Sequence, residues 1–172
     1  FTASALRCIG LETHPPGFFR DEADKGYTSY LLWKTGKDSA GKSYPLFVRS
    51  LRVTTSALYQ YVDIPFIAAL GLNERAVRLP AALAGCGAIL VTFLLARRWW
   101  GRSAGLWAAG FLSVCPWHFL LSRWANQSIF LTVWIPLAVF WYDCFLDRKT
   151  AATKTLYGLL SAVAFALALY TY

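Results

Sequence analysis

The stretch that decides the fold is Leu79-Pro-Ala-Ala-Leu-Ala-Gly-Cys-Gly-Ala-Ile-Leu-Val-Thr-Phe-Leu-Leu-Ala96. It contains no charged residue, Arg78 precedes it, and Arg97 and Arg98 follow it. A helix of this length crosses roughly 30 Å of hydrocarbon, and basic residues commonly flank such a span. The stretch therefore predicts a transmembrane helix.

Three further apolar runs of similar length follow it, at Ser103–Leu121, Ser128–Leu146 and Thr155–Tyr172. Basic residues separate the first and the last of these runs from the run before. We therefore predict an all-α, multi-pass membrane protein with four spans after a long polar stretch, Glu12–Arg75.

The composition agrees with a membrane protein, because 57% of the 172 residues are hydrophobic and only 15% are charged. The formal net charge of +8 could suggest a nucleic-acid partner. Charges are nearly balanced in Glu12–Arg75, however, and the excess lies mostly in Arg97–Arg102 and Arg148–Lys154, between apolar runs. This pattern is typical of cytoplasmic loops. We predict no nucleic-acid partner, a cell-membrane location, and a polar stretch on the extracytoplasmic side.

The ends of the chain suggest a piece of a longer protein. Phe1–Leu11 is too short to cross a bilayer and is interpreted as the tail of a first span. Tyr172 lies inside an apolar run with no capping signal. The predicted organisation is a first-span tail at 1–11, an external catalytic loop with surface helices at 12–75, and the membrane helices at 76–172. The four cysteines lie in or beside apolar runs and are interpreted as small apolar side chains.

Thr55–Leu72 is the ambiguous segment of the loop, because it is apolar apart from Gln60 and Asp63 and contains Pro65. It could lie along the membrane surface or cross the membrane and invert the topology. We favour the surface position, because crossing would bring Gln60 and Asp63 to membrane depth. Asn73 is then a plausible helix cap before the next helix.

The loop opens with His14-Pro-Pro-Gly-Phe-Phe-Arg-Asp-Glu-Ala23, a proline-fixed turn followed by two adjacent carboxylates, Asp21 and Glu22. Acidic residues are favoured in the first turn of a helix. Spacing alone therefore favours a charged helix start over a catalytic pair.

This run, followed by Gly26-Tyr27 and by Gly71-Leu-Asn-Glu-Arg-Ala-Val-Arg-Leu-Pro80, resembles the dolichyl-phosphate-mannose–protein mannosyltransferase and aminoarabinose transferase group. Ser113-Val-Cys-Pro-Trp-His-Phe-Leu-Leu-Ser-Arg123 also resembles a segment of that group. The resemblance covers the whole chain and the amino-terminal part of a family member. It implies a GT-C fold and a catalytic carboxylate in the first external loop. By implication Asp21 is the general base and Glu22 its neighbour in the site.

The residues predicted to bind the donor phosphate are Arg123 and Arg78. Arg123 lies near the outer end of its span, where an arginine usually has a carboxylate, a backbone carbonyl or a lipid phosphate as its partner. Simple anchoring at the interface is an equal alternative. Arg78 could face either lipid headgroups or the site. Many relatives have an acidic residue a few positions after the arginine that matches Arg123, whereas this chain has Asn126-Gln-Ser128 there. A second catalytic carboxylate is therefore in doubt.

No metal site is indicated, since His14 and His118 have no other ligand at a suitable spacing. A divalent metal is possible but has no support in the sequence, and no cofactor is predicted beyond a lipid-linked sugar donor. The predicted function is transfer of a sugar from a polyprenyl-phosphate donor to a protein, lipid or glycan acceptor outside the cytoplasm. The alternatives are a membrane transporter and a non-catalytic subunit of a glycan-assembly complex. Carboxylates in a long external loop, rather than at the membrane midplane, favour the transferase.

Overall fold

The computed structural model describes residues 2–50 and 53–171, and these are mostly helical. The helices are α1 (Thr2–Cys8), α2 (Arg20–Thr35), α3 (Leu58–Leu70), α4 (Glu74–Val114), α5 (Pro116–Leu121), α6 (Ser128–Asp147) and α7 (Ala151–Thr171). The strands are β1 (Phe47–Ser50) and β2 (Val53–Ser56).

The two strands correct the prediction of an all-α fold. They pair antiparallel, with Phe47 opposite Ser56 and Val48 opposite Thr55. The β-branched residues of Val53–Ser56 favour an extended chain over a helix, which explains the departure. The Phe47 ring lies 5.7 Å from the ring of Tyr170, and the Ser56 hydroxyl donates to the Thr171 carbonyl at 3.1 Å. The hairpin therefore packs on the carboxyl end of α7.

Helix α4 reverses direction at Gly101, where φ is 87° and ψ is 176°. A side chain would strain this conformation, so glycine is required. A Cβ atom on Gly105 would lie 2.8 Å from the Phe93 carbonyl oxygen and 2.9 Å from Arg97 Cβ. In a straight helix, residues 93 and 105 would be about 18 Å apart along the axis. Residues 102–114 therefore run back along residues 74–100.

The predicted span Ser103–Leu121 is divided between two helices, the second limb of α4 and α5. Pro116 causes the division, because proline has no N–H and disfavours a helical conformation in the residue before it. Cys115 accordingly has an extended ψ of 115°. Three helices of the described chain are long and apolar enough to cross a membrane: Glu74–Val114, which contains the reversal, Ser128–Asp147 and Ala151–Thr171.

The helices have two distinct ends. At the loop end, residues 11–50 and 53–73 meet the start of α4, the start of α6 and the end of α7. At the turn end, residues 97–102 of α4 lie beside residues 147–154 of the α6–α7 connection. Arg98 joins the two parts of the turn end, because its guanidinium donates to the carboxylates of Asp143 and Asp147 on α6.

A buried apolar cluster fixes the loop end on the long helices. It joins α3 to α4, to the turn before α6 and to α6 itself; its members include Tyr59, Ile67, Ala76, Val77, Ala81, Leu121, Ala125, Ile129 and Phe130. Helix α3 has 13 residues, which is too short to cross a bilayer as one helix. It packs instead against α2 and α4, through residues such as Tyr59 and Ile67.

Asp63 is the unusual residue of α3, because it is fully buried. The Ser29 hydroxyl lies near it but donates to the Lys25 carbonyl at 2.7 Å. Neither Asp63 carboxylate oxygen therefore has a hydrogen-bond partner in the described part of the chain. Burial raises the pKa of Asp63 from 3.8 to about 7.

The raised pKa of Asp63 predicts a pH-dependent stability. The folded protein holds this proton more tightly than the unfolded chain, so the contribution of Asp63 is fully present below about pH 4 and is lost as the pH rises through about 7. We expect the free energy of unfolding to fall in this range by up to about 1.4 kcal/mol per pH unit. Asp63→Asn removes the titrating group and should gain stability relative to wild type as the pH rises.

Unfolding of the purified protein by denaturant, followed by tryptophan fluorescence across this pH range, measures the effect. Glu12→Gln, at an exposed position, is the control and should keep the wild-type pH dependence. If the Asp63→Asn protein kept the wild-type pH dependence of the unfolding free energy, Asp63 would not be its cause.

Candidate active site

The site begins where α2 starts, after the turn formed by Pro15, Pro16 and Gly17. Phe19 precedes the helix in an extended conformation, and its backbone N–H donates to Glu22 Oε2 at 3.1 Å. A carboxylate three residues into a helix that accepts this bond is one half of a capping box. The helix-start interpretation of the acidic pair is therefore correct for Glu22.

Glu22 does more than cap α2, because it forms a buried ion pair with Arg78 of α4. Arg78 Nε lies 2.9 Å from Glu22 Oε1, and Arg78 Nη2 lies 2.8 Å from Glu22 Oε2. Neither side chain is more than 1% exposed. Two parallel N–H···O bonds of this kind fix both the distance and the orientation of the partners.

Arg78 also holds the turn before α2. Its guanidinium donates to the carbonyl oxygens of Leu11, Pro15 and Gly17 at 2.8, 3.1 and 2.6 Å. One side chain of α4 thus binds the start of α2 and the chain that leads to it.

The turn between α5 and α6 joins the same cluster through Ala125. The Ala125 N–H donates to Glu22 Oε1 at 3.0 Å, and Lys25 Nζ donates to the Ala125 carbonyl at 2.9 Å. Lys25 is only 8% exposed and its ammonium lies 5.4 Å from the centre of the Tyr59 ring. Burial lowers the pKa of Lys25, and the nearby carboxylates, Asp21 first, oppose this shift.

Asp21 differs from Glu22 in its exposure and in its partners. It lies in the first turn of α2, is exposed, and makes no hydrogen bond or ion pair with the residues that the structure describes. Adjacent positions on a helix point about 100° apart, so one carboxylate can face the interior while the next faces outward. The structure therefore brings Glu22 and Arg78 together and leaves the Asp21 carboxylate open to a ligand.

Arg123 lies on the turn before α6, and backbone carbonyls surround its guanidinium. It donates to Ile9, Gly10 and His14 at 2.9 Å each, and to Leu6. Leu6 lies in the last turn of α1 and the other groups follow the end of this helix, where the last helix carbonyls lack partners within the helix. The sequence left open whether Arg123 binds a carboxylate, a backbone carbonyl or a lipid phosphate; in the structure its partners are backbone carbonyls. Phosphate binding by Arg123 and Arg78 stays a prediction.

A cleft of about 180 Å³ lies beside the start of α2. The rings of Phe19 and Trp124 form part of its wall and meet edge to face, with centroids 5.6 Å apart. Its other lining residues are Pro15, Pro16, Gly17, Glu22 and Leu120. Lys25, which joins Glu22 at Ala125, was not among the site residues predicted from the sequence, although its position one helical turn after Asp21 is a usable signal.

The two histidines have different partners. His14 Nδ1 lies 2.9 Å from the Thr13 hydroxyl, whereas His118 Nδ1 is buried against Arg7 Nη2 at 3.2 Å. Among residues 2–50 and 53–171, no three His, Cys, Asp or Glu side chains are grouped so that they could hold a metal ion.

Comparison with known proteins identifies a matching family and a similar fold. The family model of the dolichyl-phosphate-mannose-protein mannosyltransferases matches residues 56–172. A search of curated protein sequences gave no match. Two crystal structures of ArnT from Cupriavidus metallidurans, one in the apo state and one bound to undecaprenyl phosphate, have a similar fold, each with a TM-score of 0.79 and 19% identity. The match covers 99% of this chain but 31% of ArnT, so the chain spans about a third of that protein's length.

The buried ion pair generates a prediction about stability. Glu22→Gln leaves the Arg78 charge buried without its partner, and such a change typically costs about 3 to 5 kcal/mol of unfolding free energy. Glu74 provides a matched control, since its carboxylate lies 3.9 Å from the same guanidinium but is 38% exposed. We expect Glu74→Gln to cost less than about 1 kcal/mol.

Unfolding free energies of the two variants in detergent micelles test this ranking. A double variant, Glu22→Gln with Arg78→Gln, should lose less than the sum of the single losses, because the second change removes the unpaired charge. Equal losses of unfolding free energy for Glu22→Gln and Glu74→Gln would show that the buried pair of Glu22 and Arg78 does not stabilise the fold more than the exposed contact of Glu74.

Proposed function

Because the chain belongs to the dolichyl-phosphate-mannose-protein mannosyltransferase family, we propose that it is part of a membrane glycosyltransferase. The reaction moves a sugar from a polyprenyl-phosphate donor to a hydroxyl-bearing protein, lipid or glycan acceptor. The family match supports this function over transport, and ArnT, which has a similar fold, has been crystallised with undecaprenyl phosphate. We propose the same kind of lipid as the carrier of the donor sugar for this chain.

The observation that carries the catalytic part of the proposal is the contrast between two adjacent carboxylates. Glu22 accepts four hydrogen bonds: Arg78 Nε and the Ala125 N–H bind Oε1, while Arg78 Nη2 and the Phe19 N–H bind Oε2. Two carboxylate oxygens have about four acceptor positions. Glu22 therefore has no position left for a substrate proton, and protonation would break its pair with Arg78.

Asp21 is the remaining candidate for the base. Its carboxylate makes no hydrogen bond or ion pair with the described residues, while its backbone belongs to the helical turn that Glu22 fixes to α4 and to Ala125. A base held on a rigid element and open to the solvent side can approach an acceptor hydroxyl within hydrogen-bond distance.

The proposed step is a displacement at the anomeric carbon of the donor sugar. The acceptor oxygen forms a bond to this carbon while Asp21 takes the hydroxyl proton, and the bond from the anomeric carbon to the phosphate oxygen breaks with its electron pair. Polyprenyl phosphate leaves as a stable anion, so the step needs nearby cations more than a proton donor. Arg123 and Arg78 are kept as the proposed phosphate contacts; binding there would displace some of their present carbonyl partners.

We further propose that the loop end, which carries Asp21, faces the extracytoplasmic side. The support is the positive-inside rule, because the basic clusters lie together at the turn end. Single cysteines at the exposed positions Ser39 and Thr150, in a cysteine-free background, test the orientation. An impermeant maleimide applied to intact cells should label residue 39 and leave residue 150 unlabelled; the reverse pattern would invert the topology.

The catalytic proposal predicts that Asp21→Asn in the full-length enzyme lowers sugar transfer by roughly 10²- to 10⁴-fold, the usual contribution of a general base. Asparagine keeps the size of the side chain but cannot accept the proton. Expression, membrane insertion and binding of the polyprenyl-phosphate donor should stay near wild type. Transfer is measured with a radiolabelled donor sugar under single-turnover conditions.

Asp24→Asn is the matched control, since it makes the same chemical change one turn along the same helix and should keep most of the activity. If Asp21→Asn transfers sugar at close to the wild-type rate, Asp21 is not the base. If the full-length wild-type protein transfers no sugar from any polyprenyl-phosphate donor, the proposed activity itself is wrong.

A further inference from the structure

The turn end carries a marked excess of positive charge. Six basic residues, Arg97, Arg98, Arg102, Arg148, Lys149 and Lys154, lie on or beside the Gly101 reversal and the α6–α7 connection. The acidic residues there are Asp143 and Asp147. The ion pairs of Arg98 with both carboxylates hold the two basic segments side by side, so they form one surface and not two separate loops.

Those ion pairs also determine how much positive charge remains unpaired at the turn end. Since Asp143 and Asp147 both bind Arg98, the other five basic residues have no carboxylate within 4.0 Å in the described part of the chain. All five are exposed. Arg148 and Lys154 lie over the rings of Tyr157 and Phe145, at 4.8 and 5.0 Å, and these contacts leave their charge unneutralised.

Exposed tryptophans accompany the cations. Trp99 and Trp100 immediately precede the reversal, with 46% and 70% of their surfaces exposed, and Trp107 on the returning limb is 67% exposed. Tryptophan is enriched at the boundary between hydrocarbon and headgroups. The exposed apolar side chains of Leu106, Phe111 and Leu146 on the same helices provide surface for acyl chains.

We propose that this turn-end surface, formed by Arg97, Trp99, Trp100, Arg102, Lys149 and Lys154, binds the phosphate headgroups of anionic membrane lipids. Unpaired cations beside a membrane surface attract anionic headgroups, and the tryptophan rings fix their depth relative to the lipid phosphates. The inference does not depend on the glycosyltransferase activity, since the surface lies at the opposite end of the helices from Asp21.

The test compares the purified wild-type protein with a triple variant, Arg97→Gln, Arg102→Gln and Lys149→Gln, in nanodiscs of phosphatidylcholine with or without phosphatidylglycerol. Native mass spectrometry of the released protein measures retained phosphatidylglycerol. We expect wild type to retain it preferentially and the triple variant to lose this preference by roughly tenfold or more, because each cation near the surface contributes to the attraction. Raised salt should weaken wild-type retention.

A second triple variant, Lys34→Gln, Lys37→Gln and Lys42→Gln, removes the same charge from exposed positions at the loop end and should retain the lipid as wild type does. Wild-type retention by the first variant, or equal losses in both variants, would overturn the proposal. Displacement of the lipid by millimolar inorganic phosphate would identify a general anion site instead. Crosslinking of the turn-end surface to a protein in intact membranes would show that its partner is a protein, and would overturn the lipid proposal.

Discussion

The arrangement of the loop end depends on the buried ion pair between Glu22 and Arg78. Removing two charges from water costs several kcal/mol per ion, and only close geometry with additional hydrogen bonds offsets that cost. Here the carboxylate also accepts two backbone N–H groups, and the guanidinium also donates to three carbonyls. These partners come from three distant parts of the sequence. The pair is therefore satisfied only when the turn before α2, the start of α4 and the turn at Ala125 have assembled together.

The same constraint separates the roles of the two acidic residues. Because Glu22 must point inward to meet Arg78, the helix turns Asp21 away from the interior. Lys25, one turn later, points inward again and binds the Ala125 carbonyl. Glu22 and Lys25, which both follow Asp21 on α2, thus fix the helix to the interior, and neither makes a hydrogen bond or ion pair with the Asp21 carboxylate. The helix backbone beneath Asp21 is therefore fixed, which the proposed role of Asp21 as a base requires.

Much of the fold could be predicted from the sequence, because it depends on local patterns. Apolar length identified the long helices, and the basic cluster with Gly101 correctly marked a boundary between two apolar runs. The β-hairpin was missed, since strands of four residues give too short an alternation to recognise. Pro116 was read within a continuous span, although it begins a new helix. The proline was visible, but whether it kinks or ends a helix depends on the packing of its neighbours.

The site was harder to predict, because its contacts connect residues far apart in sequence. An arginine in an apolar chain can bind a phosphate, a carboxylate or the carbonyls at a helix end, and all three satisfy the same N–H groups. Arg123 reaches carbonyls 109 or more residues earlier in the chain. Arg7 donates to the carbonyls of Leu112 and Ser113, which lie 105 and 106 residues later, at the end of the second limb of α4. Away from water these carbonyls need donors, and an arginine supplies several at once. Part of the positive charge that suggested anion binding therefore serves to close helix ends, and only the three-dimensional structure distinguishes those arginines from the ones left exposed at the turn end.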